Sequence, residues 1–201
     1  MRRILVLLLP LVLLLGACGS TPAASDPCAG ATDAGARERF AFDQIVPCLN
    51  TVEKVSAFMA NNITYYINYD TEQRGGNEYA PAATVYQRGI DDGDGVSILE
   101  CYLLEENGWD AVVLGLGIET PSGSNACAVT QSDGTLTVLG AAGEIMGPFA
   151  NLADAARHFV EIGWMPPGST LRTIEASEVT AITTDDTNPS VLGLPWTIVP
   201  Y

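Results

Sequence analysis

The sequence predicts an α+β domain in which one central helix packs on an antiparallel sheet. Three observations carry that prediction. Within residues 84–109, Val96, Leu99, Tyr102 and Leu103 fall three and four apart, and Ile98, Cys101 and Leu104 widen the apolar face well beyond a surface stripe. Residues 111–118, AVVLGLGI, form a near-continuous apolar run of the kind expected in a buried strand. Segments 126–130 and 135–139 flank Asp133-Gly134, a pair that favours a tight hairpin and hence antiparallel strands.

In chain order, a short helical segment is expected around residues 37–44, followed by an amphipathic helix over 49–60. There Leu49, Val52, Val55, Ala57, Phe58 and Met59 recur at helical spacing, with Pro47 suited to the first turn. Residues 63–69 shift to β-branched and aromatic types and read as a strand, whose Tyr65, Tyr66 and Tyr69 are expected to pack on it. Residues 73–78 read as a loop, and a turn-rich acidic stretch then leads into the central helix. Asp92 or Asp94 is placed to cap that helix, Gly93 and Gly95 permit a sharp entry, and Asn107-Gly108 supplies a left-handed stop. A further amphipathic helix is expected over 151–162 with Asn151 as its cap; residues 170–183 fit one or two strands, and 194–201 a hydrophobic closing segment.

A chain of 201 residues, 47% of them hydrophobic, suits a single domain with a real core. Its formal charge of −15 repels phosphate backbones, and no basic patch offsets it, so nucleic acid is excluded as a partner.

Residues 1–17 have a basic start and an apolar run too short for a comfortable membrane span, the pattern of an export signal. Loss of Arg2 and Arg3 with that leader takes the charge from −15 to −17. Leu15-Gly16-Ala17-Cys18 resembles the lipobox of bacterial lipoproteins, which implies that Cys18 becomes the lipid-bearing N-terminus of an extracytoplasmic protein anchored to the cell membrane. Residues 18–36, small and polar, read as a flexible tether, leaving 37–201 as the domain. Four further cysteines, Cys28, Cys48, Cys101 and Cys127, suggest two disulfides in an oxidising compartment. Three connectivities are open, and proximity in sequence favours Cys28 with Cys48.

The glycine-aspartate turn GDG, a helix of this length, then Gly108-Trp109 and the strand AVVLGLGI resemble the core of the transglutaminase-like superfamily. Upstream, ITYYINYD and APAATVYQ are similar to the strand and Pro-x-x-Thr approach of its bacterial and archaeal members, so the resemblance covers roughly residues 48–140. It implies a papain-like core, with a nucleophilic Cys at the helix start, a His on the next strand and an Asp on the one after. Those positions fall on Gly93, Ala126 and Gly140, and none carries the catalytic side chain. The layout further implies that the three positions meet around one cleft and that Cys101 meets Cys127. The resulting expectation is a pseudoenzyme without cofactor, a binding or scaffold module for a peptide, glycan or partner protein.

Two other constellations compete. A relocated dyad of Cys101 with His158, the one histidine, lacks the helix-start placement that activates a thiol. The stretch DDGDGVSILE resembles part of an EF-hand loop, but with Gly95 at the sixth position the first and twelfth fall on Ile90 and Cys101; a calcium site from Asp91, Asp92 and Asp94 is the weaker reading beside turn formation and capping. The same acids motivate the rival function, a hydrolase or acyltransferase of unrecognised chemistry.

Overall fold

The apolar runs assemble into one six-stranded sheet, all antiparallel, in the order β6-β5-β4-β3-β7-β8. Its strands are β3 (Ala111–Leu116), β4 (Ser124–Thr130), β5 (Leu136–Leu139), β6 (Ile145–Phe149), β7 (Leu171–Ile174) and β8 (Thr197–Val199). A two-stranded parallel pair, β1 (Thr64–Tyr65) with β2 (Ile90–Asp91), lies apart from it. The helices are α1 (Ala36–Arg39), α2 (Phe42–Ile45), α3 (Val52–Asn62), α4 (Ala82–Arg88), α5 (Gly93–Glu105), α6 (Leu152–Glu161) and α7 (Ala176–Thr183), with a five-residue π-helical turn at Asp70–Arg74. This computed structural model describes residues 26–74, 79–120, 123–141, 143–183 and 193–201; the expected leader, Cys18 and part of the expected loop at 73–78 lie outside the described residues.

The fold is α+β, and α5 is its centre. Ten of the helix's thirteen residues are buried, because it packs on β3 and β4 on one side and against α3, α4 and α7 on the others. Alternation along the strands divides the core in two. Val113, Cys127, Val129, Leu139 and Ile174 face α5, whereas Leu114, Leu116, Ala126, Ala128, Val138 and Leu171 face Phe159 and its neighbours on α6. The helix stops as the sequence indicates: Gly108 adopts φ 81°, a left-handed conformation that glycine tolerates, and the Trp109 amide reaches back to the Leu104 carbonyl at 3.1 Å. The Asn107 carboxamide donates both to Leu103 (2.7 Å) and to Val46 (2.8 Å), tying this end of α5 to the turn before α3.

Two disulfides close the α5 side. Cys28 joins Cys48, and Cys101 joins Cys127, fixing the middle of α5 to β4. The first bridge ends a stretch that was expected to be tether. Residues 26–36 instead fold through successive turns, with Ala31 and Ala36 buried and the side chains of Asn61 and Asn62 on α3 donating to Thr32 and Asp33.

The structure corrects several local expectations. The strand expected over 63–69 is only two residues long, with Tyr65 and Tyr66 substantially exposed; the chain then turns, Tyr69 N–H to Tyr66 C=O, into the π-helical turn that buries Asp70. The turn-rich stretch leading into the central helix begins instead as helix α4, closed by Gly89 in a left-handed conformation. Residues 170–183 form β7 and then a helix, α7, rather than two strands. Strand β6 went unanticipated because Gly147-Pro148 reads as a breaker; at the edge of the sheet the missing proline N–H breaks no ladder bond. The Asp133-Gly134 hairpin and the Asn151 cap, which accepts from the Asp154 amide at 3.0 Å, are as expected. Among the described residues no helix is long and apolar enough to cross a membrane.

One buried group stands out on α5. Glu100 is fully inaccessible, neither carboxyl oxygen has a hydrogen-bond partner, and burial pushes its pKa well above the ordinary range. The folded chain therefore keeps a proton that the unfolded chain loses above about pH 4.3, and stability falls as pH rises from there toward the raised folded value. Glu100→Met should stabilise the fold at neutral pH by about 1–3 kcal/mol and flatten this decline, measured by denaturant melts at several pH values; an unchanged or lower stability would mean that the carboxyl is satisfied. The bridges generate a second expectation. Denatured, unreduced protein should expose no thiol from these four cysteines on labelling, and Cys101→Ala with Cys127→Ala should cost about 3 kcal/mol.

Candidate metal centre

Asp91, Asp92 and Asp94 arrive together because β2 ends where α5 begins. Parallel pairing of Thr64 with Ile90 and Tyr65 with Asp91 then lays the β1 segment beside the helix entry. From there the turn at Asp70–Arg74 carries a fourth acid, Asp70, inward. All four aspartates are buried, and each offers a carboxylate oxygen within 4.8 Å of the others. The close approach depends on Gly95: a β-carbon at that position would sit 2.5 Å from the Asp91 carboxyl carbon.

The expected capping role is only partly filled. Asp92 occupies the N-cap position of α5 but makes no side-chain cap bond, and its Oδ1 is buried without a hydrogen-bond partner. Asp94 Oδ1 accepts from the adjacent Gly95 amide at 2.7 Å. Asp91 is the best-supported member: its Oδ1 accepts from the Asp92 amide at 3.0 Å, and its Oδ2 receives Arg88 Nη1 at 3.1 Å.

Electrostatics make the cluster costly as it stands. Two carboxylates within 4.8 Å repel by about 3 kcal/mol at an effective dielectric of about 20, and four ionised ones would make six such pairs. That is comparable with the whole stability of a domain, about 5–15 kcal/mol. Protonation or a bound cation would relieve that repulsion. Burial, followed by the Asp92 carboxyl and the other acids, raises the Asp94 pKa well above normal. Burial raises Asp91 to about 6, against the opposing pull of the Asp92 amide and Arg88. The field reaches two phenols as well: Tyr79 and Tyr65 are both raised, first by burial and then by Asp94 and Asp92.

The positions that the resemblance assigned to a triad are divided between the two faces of the sheet. Gly93 opens α5 on its β4 side, where a β-carbon would lie 3.9 Å from Ser124 Oγ and 4.0 Å from the Asn125 amide nitrogen. Ala126, the next residue of β4, points to the opposite face with the α6 core. Gly140 is on that face too, since a β-carbon there would strike the Trp164 ring at 2.8 Å. The residue beside the helix start is Asn125, whose Oδ1 accepts from the buried Tyr79 hydroxyl at 3.2 Å. Nor does a Cys101–His158 dyad form. Cys101 is bridged to Cys127 on the α5 face, while His158 lies on α6 across the sheet, its ring 5.4 Å from that of Phe149.

Sequence reasoning found three of the four clustered acids and missed Asp70. Its only local signal was an acid closing an aromatic run, and that run reads as a strand; the contact with the helix entry is entirely tertiary. The donor set is all oxygen, which suits a hard divalent ion and not a thiolate- or imidazole-seeking one. No protein-family model matches this chain, nor does any curated protein or solved structure.

Proposed function

We propose that this chain is an exported, lipid-anchored protein whose domain, built on a transglutaminase-like core, binds a ligand or partner rather than catalysing acyl transfer. The observation that carries the reading is the state of the sulfur: both cysteines on or facing the central helix are spent in one disulfide, and the helix opens on Gly93 where the resemblance calls for a thiol. The sheet order β3-β4-β5 with α5 across it supports the papain-like layout, with Asn125 rather than Ala126 as the residue facing the helix start. Beside that start, Tyr65, Tyr66 and Ile67 are exposed by 39%, 36% and 69%, an amphipathic ledge suited to a peptide, glycan or protein surface. The membrane anchor at Cys18 rests on the lipobox resemblance alone.

A second reading, a hydrolase or acyltransferase working through Asp91, Asp92 and Asp94, draws on the convergence of those acids and the raised pKa values of Asp91 and Asp94. Their burial argues against it, because Asp91 and Asp94 are 0% and 4% exposed and no polymer can reach them. Purified protein is expected to turn over neither amine-incorporation nor peptidase substrates. Turnover abolished by Asp94→Asn would establish the acid enzyme instead, and turnover abolished by Cys101→Ala would restore a nucleophile. Separately, Cys18→Ser should move the protein from the membrane to the soluble fraction; unchanged membrane association would end the anchor reading.

A further inference from the structure

We infer that Asp70, Asp91, Asp92 and Asp94 form a calcium site that clamps the π-helical turn after β1 onto the entry of α5. The inference goes beyond the binding role proposed above and does not depend on it, on the lipid anchor or on the absence of catalysis.

Two independent observations meet here. The first is the cluster: four buried carboxylates, contributed by two separate segments, with oxygens within 4.8 Å of one another. The second is Asp92. It is 8% exposed, stands where a helix cap belongs and caps nothing, and its Oδ1 has less than a trace of solvent contact and no donor to meet. A buried anionic oxygen without a donor is unfavourable unless something positive occupies the space before it. Among the described residues no donor meets Asp92 Oδ1, and the Arg88 guanidinium pairs with Asp91.

The span of the set is compatible with calcium. Oxygens on opposite sides of Ca²⁺, at about 2.3–2.6 Å each, stand about 4.6–5.2 Å apart, whereas Mg²⁺ at about 2.0–2.1 Å would require about 4.0–4.2 Å and near-octahedral placement. A set spread over as much as 4.8 Å accommodates calcium with little movement. Calcium's usual six to eight ligands leave room for water or backbone carbonyls beside the four acids. Charge follows suit: a divalent ion with the Arg88 guanidinium offsets three of the four carboxylates.

The geometry is not that of a contiguous EF-hand loop. Asp91, Asp92 and Asp94 belong to one strand–helix junction, and Asp70 comes from a turn that precedes α4. Calcium would thus act as a cross-link, fixing the segment that bears Tyr65, Tyr66 and Ile67 against the central helix. Loss of the ion would release that segment without unfolding the sheet or breaking either disulfide.

The test uses the full chain, purified in detergent and freed of metal by chelation. Calorimetric titration with calcium chloride should show one ion per chain, thermal melts should shift upward with calcium and much less with magnesium, and Tb³⁺ should luminesce on excitation through the tyrosines beside the cluster. Asp92→Asn and Asp70→Asn should each weaken calcium binding by at least about tenfold, the second showing that both segments contribute. Gly95→Ala, which removes no ligand but crowds Asp91, should weaken it as well, so the inference stays testable if one Asn variant fails to fold. Asp133→Asn, at the exposed hairpin, should leave binding unchanged. Absence of calcium heat and of terbium emission would overturn the site. So would a thermal shift that magnesium reproduces and Asp92→Asn leaves intact, which would mark general screening of an acidic chain.

Discussion

A helix buried on nearly every side must be entered and left inside the core, and most of this structure answers to that constraint. Each end of α5 carries backbone groups that the helix itself cannot satisfy. At the C-terminal end the solution is neutral: Asn107 and Gly108 turn the chain, and the Asn107 amide joins the helix to the turn before α3. In the middle, the Cys101–Cys127 bridge removes the freedom of α5 to slide along β4. At the N-terminal end the solution is acidic, and it brings in more negative charge than the first turn can use.

That surplus separates the two kinds of buried acid in this protein. Glu100 is alone on the helix, gains nothing from its surroundings and stays protonated, so it subtracts from stability wherever the unfolded chain would ionise. The aspartates are four together, drawn from different elements, and one of them forgoes the cap bond its position offers. A solitary buried carboxyl is tolerated by neutralisation. A convergent set is better explained by something shared among its members, because each added acid increases the repulsion borne by the others.

The α+β class, the central helix, the hairpin and the late helix were legible in the sequence because each depends on periodicity or turn chemistry within a few residues. Val96, Leu99 and Leu103 declare a helix whatever surrounds them; Asp133-Gly134 declares a turn. What escaped is what only tertiary pairing decides. Residues 63–69 have strand composition, yet the parallel partner β2 offers only two residues, so the chain turns away. Asp70 is pulled inward by that turn and gives no sign of it locally. The positions assigned to a triad part for a sharper reason: side chains alternate along a strand, so Asn125 faces the helix start while Ala126, one residue on, faces the α6 core.

The helix start itself reconciles the resemblance with the acids. The N-terminus of a helix carries partial positive charge, and its effect is confined to the first turn. Here that place holds Asp92 and Asp94, with Gly93 between them. The dipole contributes at most about 2 kcal/mol to an anion in a favourable, partly buried setting, enough to tune one ionisable group but too little to hold four carboxylates together. A helix start that gathers this much negative charge therefore calls for a positive partner beyond its own dipole. Arg88 pairs with Asp91, and Asp92 and Asp94 add their charge at the point where α5, β2 and the Asp70 turn converge.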